Sequence, residues 1–191
     1  TRNGLITNEE LSLACDYNGY GWIGTSQGLN VITNPADVFR GGSGGRLNIR
    51  QNGEDGYLMG EETIHDICVD GGNRKWFATN NGVFLVDANG QNVLVNYRES
   101  NSPLPDDRVL CIGQVDKSGE VFFGTESGIV SFRSDASAAS DKFGTVRVYP
   151  NPVRPGYSGP ITIDGLARDA EVRITDAAGV LVYQTRANGG T

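Results

Sequence analysis

The sequence predicts an all-β chain in two parts, a partial β-propeller made of three four-stranded blades of a larger ring, then a small β-sandwich. Three observations lead there. A frame of about fifty residues is spelled out three times, which is the sequence signature of a propeller or solenoid. Between its landmarks the chain alternates apolar and polar residues with the period of a strand, and no segment of useful length has a helical period. After a small, polar stretch at 134–144 the frame stops and four new alternating segments follow.

The landmarks are an Asp, an aromatic residue, a small residue, a Thr and a Gly at constant spacing. They read Asp16, Trp22, Gly24, Thr25 and Gly28, then Asp70, Trp76, Ala78, Thr79 and Gly82, then Asp116, Phe122, Gly124, Thr125 and Gly128. An aliphatic pair precedes each Asp: Leu5 and Leu11, Leu58 and Ile64, Leu104 and Leu110.

Each unit then resolves into strands. Alternation of Leu11, Leu13 and Cys15, and of Ile67 and Val69, marks first strands. A Gly/Asn turn follows, and then Trp22-Ile23-Gly24-Thr25, Trp76-Phe77-Ala78-Thr79 and Phe122-Phe123-Gly124-Thr125 as second strands. These are apolar on both faces, so they need a neighbour on each side, which stacked blades provide. Because Ala78 stands where the other copies have Gly, the third landmark calls for low volume, as where adjacent blades approach closely. The last landmark is Gly in all copies and suits a hairpin position with positive φ. Segments 29–32, 83–86 and 129–132 are third strands, and 46–51 and 92–97 fourth strands; the third unit ends near Arg133 without one.

Known propellers close with roughly four to eight blades. An open stack leaves apolar faces wet at each end, at about 25 cal/mol per Å2. The expectation is therefore that further blades, or a second chain, complete the ring. Residues 33–57 form a longer, looser insertion containing Gly41-Gly42-Ser43-Gly44-Gly45, and read mainly as slack. The predicted organisation is 1–133 propeller blades, 134–144 linker and 145–191 sandwich. In the last part Val146/Val148, Ile161/Ile163, Val172/Ile174 and Val180/Val182 give four strands, with Asp176-Ala177-Ala178-Gly179 as a hairpin turn. Four strands leave a sandwich short of partners, so its C-terminus is expected to be incomplete.

Composition narrows the function. The chain has 191 residues and a formal charge of −7. An acidic balance without a basic stripe argues against a nucleic-acid surface. No apolar run approaches the roughly twenty residues that span a bilayer, and neither a signal peptide nor a lipidation motif is visible. Cys15, Cys68 and Cys111 fall one per repeat within or beside first strands and read as buried thiols packing as small hydrophobes. With no C-x-x-C spacing and one His, zinc is not expected.

Four motifs imitate chemistry. Gly19-Tyr20-Gly21-Trp22-Ile23-Gly24 fits the dinucleotide fingerprint, but a strand follows where a helix N-terminus is needed. Gly41-Gly42-Ser43-Gly44-Gly45 fits a nucleophile elbow, but neither flank is a buried strand or a helix. His65 and Asp66 resemble a base and its orienter, yet the other copies carry Ser12 and Cys111 in this stretch, which favours a structural role. Asp16 opens a turn like a calcium loop but lacks the spaced carboxylates; Asp bonding nearby amides accounts for all three copies. Tyr17, Tyr20 and Tyr157 are aromatics able to stack on sugars. No catalytic, cofactor-binding or metal-binding residue is assigned, no cofactor is expected, and no ligand contact residue is named.

The repeat, through its Asp turn, Trp22-Ile23-Gly24-Thr25, Gly28-Leu29 and connecting Asn3-Gly4-Leu5-Ile6-Thr7-Asn8, resembles the two-component regulator propeller repeat of Bacteroidetes proteins. The C-terminal part, from Val148-Tyr149-Pro150-Asn151-Pro152 to Gly179-Val180-Leu181-Val182, resembles the type IX secretion C-terminal sorting domain, with kinship to an Ig-like fold. Together they are similar to cell-surface components of the type IX secretion system. That resemblance implies a non-enzymatic protein of the cell surface and outer membrane, exported through the periplasm. It would bind anionic lipopolysaccharide or another glycan and work beside the sortase complex that anchors cargo. The alternative is the extracytoplasmic, glycan-sensing propeller of a hybrid two-component regulator.

Overall fold

A computed structural model of the chain describes residues 5–38, 40, 44–51, 53–138, 140–187 and 189–191. Asn3, Gly4, Gly41, Gly42 and Ser43, on which part of the repeat resemblance and the elbow-like run rest, lie outside them. The described chain is all-β apart from one turn of helix, α1 (Pro35–Val38). It divides into two compact units. The first comprises Thr1–Val69, Asn73–Gln114 and Val121–Phe132; the second Asp70–Gly72, Val115–Glu120 and Arg133–Thr191.

In the first unit each repeat is an antiparallel sheet. Strands β1 (Glu10–Cys15), β2 (Gly21–Thr25) and β3 (Gly28–Ile32) form one. A two-stranded ribbon follows, β4 (Asn48–Gln51) with β5 (Glu54–Tyr57). Strands β6 (Ile64–Val69), β7 (Lys75–Thr79), β8 (Gly82–Val86) and β9 (Val93–Tyr97) form the four-stranded sheet. The third contains β10 (Val109–Val115), β11 (Glu120–Thr125) and β12 (Gly128–Arg133).

The expectation of three four-stranded blades is corrected here. Among the described residues only the middle sheet has four strands. The stretch expected to be the first fourth strand pairs instead with its own continuation, Ile49 opposite Gly56 and Arg50 opposite Asp55. A longer insertion lets this segment turn back on itself, and an isolated bridge from Gly45 to Val31 marks where the expected pairing begins. In the third sheet the chain leaves after β12.

Two cores explain the doubly apolar second strands. Trp22, Leu29 and Val31 of the first sheet pack with Ile67, Phe77 and Val86 of the second, joined by Ile49, Leu58 and Met59. Neighbouring residues on the opposite face, Trp76, Ala78, Val83 and Leu85, pack with Val109, Val121 and Phe123 of the third. Successive residues of one strand thus enter different cores, as the strand's two-residue period requires. The outer faces are wet: Leu13 is 70% and Ile129 77% exposed, and Phe122, which stands where Trp22 and Trp76 are buried, is 36% exposed.

The landmarks acquire physical roles. Thr25, Thr79 and Thr125 each donate their hydroxyl to the carbonyl of Gly28, Gly82 and Gly128, at 2.8, 2.9 and 2.9 Å. Each accepts the amide two residues on, which closes the hairpin. The three glycines have φ of +122°, +92° and +144°, where a side chain is strained. At Gly24 an added Cβ would lie 2.6 Å from Ile64 Cγ2 of the next sheet, so the small residue there serves close approach. The cysteines depart from the reading as buried thiols: Cys15 and Cys111 are exposed and Cys68 half-buried.

In the second unit, β13 (Arg147–Tyr149) pairs with β14 (Thr162–Asp164), and β15 (Glu171–Thr175) with β16 (Leu181–Arg186). These are the four segments expected from alternation. Peptides Tyr149–Pro150 and Asn151–Pro152 are both cis. Leu166, Ala170 and Ala187 form a small core with Ile163 and Val172. The stretch after β12 is hydrogen-bonded within this unit: Ser134 donates to Gly119 O at 2.9 Å, Ala138 to Asp116 O at 2.8 Å, and Gly190 to Ser137 O at 2.9 Å.

Asn30 is fully buried on β3 with neither carboxamide atom hydrogen-bonded. Phe84 and Val130 hold the matching place in the other repeats. Unpaired buried polar groups cost about 1–3 kcal/mol, so Asn30→Val should raise the urea midpoint, by about 1 kcal/mol of stability. A lower midpoint would show that the carboxamide has a stabilising partner.

Candidate functional site

The feature of the first unit with the most chemistry lies at the junction of its first two sheets. Asp16, at the end of β1, and Lys75, at the start of β7, are 2.9 Å apart with no side-chain surface exposed. The Trp22 indole N–H donates to Asp16 Oδ2 at 3.0 Å. Asp16 Oδ1 accepts the amides of Asn18 and Tyr20, both at 2.9 Å. Lys75 donates to the Ala88 carbonyl at 2.7 Å and its ammonium lies 4.5 Å from the Trp22 ring centre. Every charge here has several partners, which is the condition for a buried ion pair to be tolerated. Burial pushes the Asp16 carboxyl up, but the Lys75 hydrogen bond, the Tyr20 amide, the Trp22 indole and the Lys75 charge together hold it below the ordinary carboxylate value.

The spacing from Asp to aromatic therefore has a meaning: in the first repeat it sets an indole N–H against the turn carboxylate. The arrangement is not repeated. Val121 stands where Lys75 would be at the next junction, and the buried Trp76 N–H has no hydrogen-bond partner.

Trp22, which touches both charges, also lines a cleft of about 250 Å3. Its exposed lining, the rim, is Asn18 and Tyr20 from the first turn, Thr33 after β3 and Asn89 from the turn between β8 and β9; Trp22 and Val31 are buried, and Leu47 and Ala88 half-buried. Gly90 allows the second turn to close over Trp22, since a Cβ there would meet Trp22 Cη2 at 2.7 Å.

The motifs singled out in the sequence separate. The glycine run Gly19–Gly24 opens β2, and no helix N-terminus follows. His65 Nε2 lies 2.7 Å from Asn80 Oδ1. Asp66 does not orient it; its carboxylate accepts the amides of Ile67 and of Ile112, both at 2.8 Å, the second tying β6 to β10. Tyr20 reaches the cleft rim, whereas Tyr157 donates its hydroxyl to Pro160 O at 2.8 Å in the other unit. Among the described residues no three His, Cys, Asp or Glu side chains gather so as to hold a metal ion. Sequence reasoning missed Lys75, whose only signal is a cation in a strand otherwise apolar on both faces. It also missed the cleft, which residues up to 71 positions apart create.

No family model and no curated protein matches the chain. Among solved structures it is similar to PorZ, an essential surface component of the type IX secretion system of Porphyromonas gingivalis. Identity is 31% and the TM-score 0.65, over 95% of this chain and 25% of that one. It is also similar to the extracellular domain assigned to a hybrid two-component system of B. thetaiotaomicron, at 25% identity and a TM-score of 0.54, over 69% of this chain and 16% of that one. The chain thus spans a quarter or less of these structures. Both are bacterial surface or extracellular proteins, and the likeness supports a partial β-propeller for the first unit.

Lys75→Met should destabilise the chain by about 3–5 kcal/mol, because it strands the Asp16 carboxylate. Adding Asp16→Asn should recover much of that loss, a coupling measured by a urea double-mutant cycle. A native carboxyl held low contributes stability that is full above the ordinary carboxylate range and drains away as pH falls through the native value. Denaturation between neutral pH and pH 3 should therefore show an acid loss that Asp16→Asn reduces.

Proposed function

We propose that this chain belongs to a non-enzymatic surface component of type IX secretion, akin to PorZ, that holds lipopolysaccharide and presents it to the sortase complex anchoring cargo. The observation that carries the reading is the likeness to PorZ, which runs through 95% of the chain at 31% identity. So broad a match takes in nearly all of both units. In this reading residues 1–133 are propeller blades, 134–144 a linker and 145–191 an Ig-like C-terminal sorting domain. Its partners are other surface proteins of the export system and a glycan, and its place is the outer membrane surface, reached through the periplasm. No catalytic role is assigned: the one His is paired with Asn80 and its neighbouring Asp66 is occupied by backbone amides.

The second reading is the extracellular sensor of a hybrid two-component regulator, favoured by the likeness at 25% identity. That match leaves close to a third of the chain uncovered, against one-twentieth for PorZ.

Deleting the gene in its host separates the two. The expected outcome is that cargo bearing a sorting domain loses its lipopolysaccharide anchor, read by surface fractionation and by the mobility of the cargo. Normal anchoring together with an altered transcriptional response to a glycan would establish the sensor instead.

A further inference from the structure

We infer that the cleft between the first two sheets is a binding site for an uncharged sugar ring, with Tyr20 as its stacking platform. The inference rests on the reading of the chain as a glycan-holding surface component and adds to it which part of the glycan is held, and where.

The lining selects the ligand's chemistry. Among the described residues, no side chain that is charged at neutral pH lines the cleft. Asp16 and Lys75, which both contact the lining Trp22, are committed to each other at 2.9 Å with no side-chain surface exposed. A phosphate or carboxylate entering would therefore shed water without gaining a counter-charge, on a chain whose formal charge is already −7. What the rim offers is neutral. Asn18 and Asn89 each supply a carboxamide that both donates and accepts, and Thr33 a hydroxyl. Vicinal hydroxyls, each a donor and an acceptor, match that set.

Tyr20 supplies the other half. It lines the cleft and is 36% exposed, so part of the residue is within reach of a ligand. A sugar ring has one face of C–H groups, which an aromatic face can cover while the hydroxyls point outward to the carboxamides. The size agrees: pockets for drug-sized ligands run about 300–1,000 Å3, and about 250 Å3 admits a single ring.

The walls are also rigid. Asn18 and Tyr20 have their amides fixed to the Asp16 carboxylate, and Ala88, beside Asn89, is held by the Lys75 ammonium. Both walls are thus anchored to one buried ion pair, so little ordering is needed on binding.

The test titrates the isotope-labelled chain with methyl α-glucoside, methyl α-galactoside and methyl α-mannoside, with glucose phosphate as the charged comparator, followed by nitrogen–proton correlation spectra. At least one neutral glycoside should shift the side-chain amide signals of Asn18 and Asn89 and the Trp22 indole signal in a saturable way, more tightly than glucose phosphate does. Tyr20→Ala should weaken it about tenfold, the worth of one aromatic contact, while Tyr20→Phe retains it in an equally well-dispersed spectrum. Absence of saturable shifts at these signals, or equal binding of the phosphate, would overturn the inference. Polysaccharide released from lipopolysaccharide that binds without moving these signals would overturn the cleft and leave the surface-component reading standing; failure of that reading is registered separately, in the deletion strain.

Discussion

The first unit depends on a buried charge that one sheet supplies and the next neutralises. Asp16 ends β1, Lys75 begins β7, and neither side chain has exposed surface. Two charges removed from water are costly individually. They are tolerated because each has further partners: the Trp22 indole and two amides for the carboxylate, the Ala88 carbonyl and the Trp22 ring for the ammonium. Apolar packing draws the two sheets together without a preferred direction. A pair that must meet at hydrogen-bonding distance admits one register, and so aligns the first two repeats.

That alignment has a consequence at the surface. The amides bound by Asp16 belong to the turn carrying Asn18 and Tyr20, and the carbonyl bound by Lys75 belongs to the turn carrying Asn89. The cleft walls are the outer ends of the same interactions that hold the sheets together. Scaffold and surface loop are in this place one network, whereas the second junction, with Val121 in place of Lys75, is joined by packing and by the Asp66 carboxylate.

The second unit has a different economy. Its two ribbons share a core of few residues, Leu166, Ala170 and Ala187 with Ile163 and Val172. Large apolar residues such as Val180, Val182 and Tyr183 remain more than half exposed. Hydrogen bonds from Ser134 and Ala138 fasten the stretch before β13, and one from Gly190 to Ser137 ties the residues after β16 to it. Backbone bonds here supply the order that burial supplies in the first unit.

The frame of Asp, aromatic, small residue, Thr and Gly was enough by itself to place the first three strands of each repeat, their turns, the positive-φ glycine and the close approach at Gly24, but not β5, which falls in the stretch read as slack. Each of these is a local demand, met by residues within one hairpin, or a volume limit that recurs with the repeat. The strands of 145–191 were legible for the same reason, from two-residue alternation. Whether a fourth strand joins its sheet was not legible, because β4 alternates equally well whether it pairs with β3 or with β5, and only the path of the insertion chooses. Nor were the roles of Lys75 and of the cleft, since Asp16 meets Lys75, and Tyr20 approaches Asn89, across a junction of two repeats. Local spacing reports what a hairpin needs; partners brought together from separate sheets exist only once those sheets have stacked.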